Sequence, residues 1–79
     1  MSRRFENSKI VSQRLKELRK EKKITQQELV EKTGISINSI KNYECARRVP
    51  DRYNLNLLSD FYRVDKEYIL GSSDYKGGD

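Results

Sequence analysis

Two helix starts separated by a single glycine constrain this chain more than any other feature of its sequence. Thr25 has a hydroxyl that can accept a hydrogen bond from the first turn of a helix, and Glu28 completes a capping box. The helix that begins at Gln26 should end at Gly34, because the residue after a helix often needs the left-handed conformation that glycine tolerates best. Ser36 then caps a new helix. This segment is predicted to be two short helices joined by a tight turn.

The second of these helices has an apolar side and a polar side. Ile40 and Tyr43 lie three residues apart and should face a core. Polar side chains recur at i, i+3, i+4 and i+7 on another side, at Asn38, Lys41, Asn42 and Cys45. A capped helix, a tight turn and a second helix that presents amides and a lysine are typical of a DNA-binding helix-turn-helix, whose second helix enters the major groove.

The rest of the chain is predicted to hold this pair of helices in place. Apolar residues at helical spacing predict three further helices, over residues 9–22, 51–62 and 66–70. The predicted fold is therefore all-α, with one domain over residues 9–71. Residues 1–8 have no period and are expected to be a flexible arm, and residues 72–79 have the composition of a flexible tail.

The sequence resembles the Cro and phage-repressor type of helix-turn-helix regulator, the lambda-repressor-like XRE family. The likeness extends without a gap from about Lys9 to Gly71. It is carried by Arg19, Ile24-Thr25-Gln26-Gln27-Glu28-Leu29, Gly34-Ile35-Ser36, Ile40, Tyr43-Glu44, Pro50, Leu55, Leu58, Val64 and Tyr68-Ile69-Leu70-Gly71. The resemblance implies a compact five-helix fold. It also implies that Arg19 and Glu44 form a partly buried ion pair and that the loop containing Arg47 and Arg48 follows the phosphate backbone.

Recognition of DNA divides into contacts with phosphates and contacts with bases. The candidates for phosphate contact are Gln26, Ser39, Arg47 and Arg48. The candidates for base contact are Ile37, Asn38, Lys41 and Asn42, since asparagine can pair with adenine, lysine can reach guanine, and isoleucine can touch a thymine methyl. The alternative is that an exposed asparagine or lysine on a helix is merely solvated.

One residue at the start of the predicted recognition helix and two at its end depart from the family pattern. Ile37 stands where a polar base-reading side chain is common. Cys45 and Ala46 stand where asparagine or arginine followed by glycine is usual, so Ala46 should either adopt a strained left-handed conformation or end the helix differently. Cys45 could be a redox-sensitive contact, but a lone cysteine is more often an inert small residue.

Composition favours a small domain that binds a polyanion over an enzyme. The 79 residues carry a formal net charge of +5, and residues 1–23 hold nine Lys and Arg against three acidic residues. With no histidine and one cysteine, we expect no metal site, no cofactor and no His-based catalysis. The absence of a signal-peptide pattern and of a long apolar run predicts a soluble, cytoplasmic protein.

Two apolar residues of the fourth helix are left over once its inner side is assigned. If Leu55, Leu58 and Tyr62 face the core, Leu57 and Phe61 point elsewhere. They could form the interface of a symmetric homodimer on an inverted repeat, or they could simply cover the edge of the core. The favoured function is a transcriptional regulator that acts as a repressor. The alternative is an antitoxin-like protein-interaction module with the same fold.

Overall fold

The computed structural model describes the backbone of residues 3–77 and the side chains of residues 8–77. Five α-helices follow one another along this part of the chain, with no strand in it: α1 (Arg3–Glu21), α2 (Gln26–Thr33), α3 (Ile37–Glu44), α4 (Arg52–Tyr62) and α5 (Lys66–Leu70). The predicted all-α fold is thereby confirmed. No helix in the described residues is long and apolar enough to cross a membrane.

The predicted capping residues form the hydrogen bonds that begin α2 and α3, and a glycine makes the turn between the two helices. The Thr25 hydroxyl accepts from the backbone N–H of Glu28 at 3.0 Å, and the Glu28 carboxylate accepts from the N–H of Thr25 at 2.8 Å. Gly34 ends α2 in the left-handed conformation, with φ of 80°. Ser36 caps α3 by accepting from the N–H of Ser39 at 3.1 Å. The predicted bounds of α2 and the predicted start of α3 are confirmed.

The core is apolar and draws on every helix. Its buried members are Val11, Leu15, Leu18, Leu29, Ile35, Ile40, Tyr43, Leu55, Leu58, Tyr62, Val64, Tyr68 and Ile69. α1 packs mainly against α3 and α5, while α2 packs against α3 and α4. This arrangement buries the apolar side of α3, so its polar side faces away from the domain.

The first helix begins at Arg3 rather than at Lys9, so the predicted start of this helix is wrong by six residues. Residues 3–8 contain neither glycine nor proline, and nothing in that segment stops a helix from extending toward the N-terminus. Ser8 lies inside this helix and is buried. The flexibility of the arm over residues 1–8 stays a prediction, and residues 1 and 2 lie outside the described residues.

The C-terminal segment folds back along α1, which its composition did not indicate. Arg14 donates to the carbonyl of Ser73 at 2.6 Å and pairs with Asp74 at 2.8 Å. Further along, Lys76 pairs with Glu21 at 3.2 Å. The predicted flexible tail therefore makes specific contacts over residues 73–76, because Arg14 and Glu21 on α1 bind groups of the tail that have the complementary charge or hydrogen-bonding character. Residues 78 and 79 lie outside the described residues.

Ala46 adopts the left-handed conformation with φ of 67°, two residues after the end of α3. This is the strained alternative of the two expected from the sequence, because the Cβ of an L-residue crowds the carbonyl oxygen there. Arg63 also adopts the left-handed conformation, directly after α4, with φ of 58°. The helix ends of α3 and α4 thus use non-glycine residues where glycine would be easier.

We expect the substitution Ala46→Gly to raise the free energy of unfolding by about 1 kcal/mol, because glycine relieves the left-handed strain. Gly34→Ala should lower it by a similar amount. A Cβ at Gly34 would meet no atom within 4 Å, so that loss would report backbone conformation alone. Urea unfolding of both variants measures the two changes. A loss of stability in the glycine variant would contradict the strain at Ala46.

Candidate nucleic-acid interface

The outward side of α3 carries the predicted base-contacting residues. Asn38 and Lys41 are exposed, while Ile37 and Asn42 are half-buried. The side chains of Asn38, Lys41 and Asn42 form no hydrogen bond or ion pair with any described residue. The amide and ammonium groups are therefore free to bind an external partner. We refer to these four residues as the α3 outer face.

The two arginines after α3 lie at its C-terminal end. The backbone N–H groups of Arg47 and Arg48 donate to the Asn42 carbonyl at 2.9 and 3.2 Å, so the loop curls back onto the helix. Both side chains are exposed. Cys45 is exposed as well, with its sulfur 3.7 Å from the same carbonyl. A pair of cations thus borders the α3 outer face, where a polyanion that contacts the face would also meet them.

Ser39 and Gln26 lie at the N-terminal ends of the two helices. The Ser39 hydroxyl accepts from the hydroxyl of Ser36 at 3.0 Å and remains half-exposed. Gln26 is the first residue of α2 and is half-buried. Its amide nitrogen donates to the Glu44 carboxylate at 3.0 Å. The sequence reasoning missed this bond because the two residues are eighteen positions apart.

Arg19 and Glu44 form an ion pair with two hydrogen bonds between α1 and α3. The Arg19 Nε lies 2.8 Å from Oε2 of Glu44, and Nη2 lies 3.0 Å from Oε1. The side chains are 15% and 5% exposed, so the pair is largely screened from water. The hydrogen bonds with Glu44 raise the pKa of Arg19 above its usual value. The guanidinium of Arg19 thus stays charged, and its two hydrogen bonds with Glu44 fix the last turn of α3 to α1.

Two further hydrogen bonds hold α3 from its inner side. The Ser12 hydroxyl on α1 donates to the carbonyl of Glu44 at 2.6 Å. The Asn54 amide on α4 donates to the hydroxyl of Tyr43 at 2.8 Å. Tyr62 lies close by, and burial raises the pKa of its hydroxyl well above the usual range. Within the described residues that hydroxyl is buried and has no hydrogen-bond partner. Hydrogen bonds from its inner side therefore join α3 to both α1 and α4.

Leu57 and Phe61, the candidate dimer residues, are less exposed than the sequence suggested. Both are partly buried and pack against the core, as the core-edge alternative predicted. The ammonium of Lys22 lies 5.4 Å from the centre of the Phe61 ring and covers part of it. Tyr53, which the sequence reasoning did not single out, is 71% exposed and lies one turn before Leu57. The exposed apolar surface of α4 is therefore centred on its first turn.

Comparison with known proteins shows which family the chain belongs to. The family described as "Helix-turn-helix domain" matches residues 12–72, which is most of the chain. The chain belongs to this family. The resemblance to Cro and phage-repressor regulators and the lambda-repressor-like fold are thereby confirmed. No solved structure gave a significant match.

Three curated relatives come from Bacillus subtilis strain 168. The uncharacterised HTH-type transcriptional regulator YobD is 42% identical over 62 residues, which are 78% of this helix-turn-helix chain and 55% of the relative. The HTH-type transcriptional regulator ImmR is 41% identical over 64 residues, which are 81% of this chain and 50% of that relative. The uncharacterised HTH-type transcriptional regulator YqaE is 39% identical over 66 residues, which are 82% of this chain and 57% of that relative. The chain thus spans about half the length of these relatives.

Proposed function

We propose that this domain binds double-stranded DNA sequence-specifically and regulates transcription as a repressor. The observation that carries the proposal is the α3 outer face, whose amides and ammonium are unpaired within the described residues and are bordered by Arg47 and Arg48. An α-helix of this kind fits the major groove of B-DNA. The names of the three relatives as transcriptional regulators support the same function.

Each residue of the α3 outer face has a distinct role in this proposal. Asn38 and Asn42 donate to and accept from adenine edges, and Lys41 donates to O6 and N7 of guanine. Ile37 is half-buried and offers only an apolar contact with a thymine methyl. Such a set can discriminate bases at several neighbouring positions.

The phosphate backbone is contacted on both sides of the recognition helix. Arg47 and Arg48 are exposed cations and supply the electrostatic part of the affinity. Gln26 and Ser39 contact phosphates as neutral donors at the N-terminal ends of α2 and α3, where backbone N–H groups also favour an anion. These contacts set the register of α3 in the groove without choosing a sequence.

We further propose that two copies bind together through α4. Tyr53, Leu57 and Phe61 recur at every fourth residue of this helix and form one continuous row. Tyr53 provides the exposed part of that row, and the two half-buried residues extend it toward α5. If a two-fold axis passes through this row, we expect the two copies of α3 to enter successive turns of the major groove, which are about 34 Å apart.

Selection of bound sequences from a random pool of duplexes tests the function. The proposal expects enrichment of an inverted repeat whose half-sites are about 10 base pairs apart. Sedimentation of the complex should then give two protein copies per duplex. Enrichment of a single half-site with one copy bound would contradict the dimer. Failure to enrich any sequence at low salt would contradict DNA recognition and favour the protein-interaction alternative.

Asn42→Ala should relax the choice of base at one position of the selected site. Loss of one bidentate contact with adenine removes about 1–3 kcal/mol of discrimination at that position. Competition between the selected duplex and single-base variants of it measures this effect. Asn56→Ala is the matched control, because Asn56 is exposed on α4 and should leave every base preference unchanged. Equal weakening on all sequences by Asn42→Ala would contradict its base-reading role.

A further inference from the structure

The carboxylate of Glu44 receives hydrogen bonds from two different elements. Arg19 on α1 donates through Nε and Nη2, at 2.8 and 3.0 Å. Gln26 on α2 donates through Nε2, at 3.0 Å. Glu44 itself is the last residue of α3 and is 5% exposed. One buried carboxylate therefore joins α1, the start of α2 and the end of α3.

The bond with Glu44 determines which way the Gln26 amide faces. A carboxylate only accepts hydrogen bonds, so it must face the NH2 group of Gln26 and not its carbonyl oxygen. The NH2 group has two N–H bonds, and this contact uses one of them. Gln26 is half-buried and is the first residue of α2, and its second side-chain N–H has no hydrogen-bond partner among the described residues. The free backbone N–H groups of the same helix end also favour an anion.

We propose that Glu44 is a positioning residue for DNA binding, which acts by holding the amide of Gln26 so that its second N–H meets a phosphate. The inference rests on the proposed function and concerns a role that the ion pair with Arg19 does not require. A donor fixed before binding loses less conformational freedom than a freely rotating glutamine, and the buried negative charge polarises the amide toward its other acceptor.

The hydrogen bonds of Arg19 and Glu44 also fix the phosphate contact of Gln26 relative to α3. Arg19 also donates through Nη1 to the carbonyl of Ile24 at 2.8 Å, just before the cap of α2. The start of α2 is thus held relative to α1 by Arg19 and relative to α3 by Glu44. A phosphate bound at Gln26 consequently has a defined position with respect to the α3 outer face.

A double-mutant cycle on DNA affinity tests the proposal, with the duplex most enriched by the wild-type protein from a random pool as the probe. Gln26→Ala should weaken binding about 3- to 10-fold, the effect of one hydrogen bond. Glu44→Gln should weaken binding by a similar factor in the wild-type background, because a neutral amide cannot accept from all three donors. It should cause no further loss when Gln26 is already alanine.

Two controls separate positioning from stability. Ile69→Val alters the buried core of α5 and should destabilise the fold without changing DNA affinity at a temperature where the variant is folded. In the wild-type protein, NMR should show two resolved, slowly exchanging side-chain amide protons for Gln26 before DNA is added. This second measurement applies even if Glu44→Gln does not fold.

The outcomes are distinct. Equal losses for the two single variants and no added loss in the double variant, with the resolved Gln26 amide, support the positioning role. Additive losses, no effect of Glu44→Gln on affinity, or rapidly averaged Gln26 amide protons would overturn it while leaving the proposed function intact. If the wild-type protein binds no duplex at low salt, the proposed function and this inference fail together.

Discussion

Glu44→Ala is expected to lower the free energy of unfolding by about 3–5 kcal/mol, because it leaves a largely buried arginine without its counter-charge. Arg19 is 15% exposed and cannot reach water freely once the carboxylate is gone. The loss is comparable to the whole stability of many small domains. Chemical denaturation followed by circular dichroism measures it, and the variant should be partly unfolded at room temperature.

Glu17→Ala provides the matched control for this prediction. Glu17 is an exposed acidic residue of α1, and its removal should change the free energy of unfolding by less than about 0.5 kcal/mol. Arg19→Ala should destabilise as strongly as Glu44→Ala, since either change leaves a buried charge unpaired. A loss below about 1 kcal/mol for Glu44→Ala would mean that the pair behaves as a solvent-exposed one.

DNA affinity is expected to fall by about 10²-fold or more when salt is raised from about 50 to about 200 mM. Arg47 and Arg48 are both exposed, so two copies of the domain would neutralise about four phosphates with these residues alone, at about 0.9 logarithmic units per phosphate. The double variant Arg47→Ala/Arg48→Ala should lower the slope of log K against log salt by about 3.6. Titrations at several salt concentrations measure both quantities.

Lys66→Ala tests whether this effect depends on position. Lys66 is an exposed cation at the start of α5, which packs mainly against α1 and α4. Its removal changes the net charge by one but should leave the salt slope unchanged. A reduction in slope equal to that caused by either arginine alone would indicate a general effect of charge and contradict the placement of Arg47 and Arg48 at the phosphate backbone.

The helix-turn-helix was predictable from the sequence because local chemistry determines it. Thr25, Glu28, Gly34 and Ser36 act within one turn of their own position, so their roles can be inferred from spacing alone. The inward placement of Ile40 follows from helical periodicity in the same way. The sequence therefore predicted α2 and α3, and with them which side of α3 faces outward.

Features that depend on distant contacts could not be predicted in this way. The C-terminal segment looked flexible because its composition is polar, but Arg14 binds its carbonyl and carboxylate groups across about sixty positions. The amide of Gln26 looked like a free phosphate donor, although Glu44 already accepts one of its N–H groups. In both cases a polar side chain has a partner that no sequence period indicates.

The packing of α1 has a consequence for how the chain acquires its structure. Of the five helices α1 is translated first, yet its apolar side is covered mainly by α3 and α5. Within the described residues, the Arg14 side chain donates to Tyr68, Ser73 and Asp74, more than fifty positions later. Closing such large loops costs chain entropy before any contact is gained. During translation, α1 would therefore emerge before the other four helices but would gain its packing partners last. Its apolar side would stay exposed until nearly the whole domain has been translated.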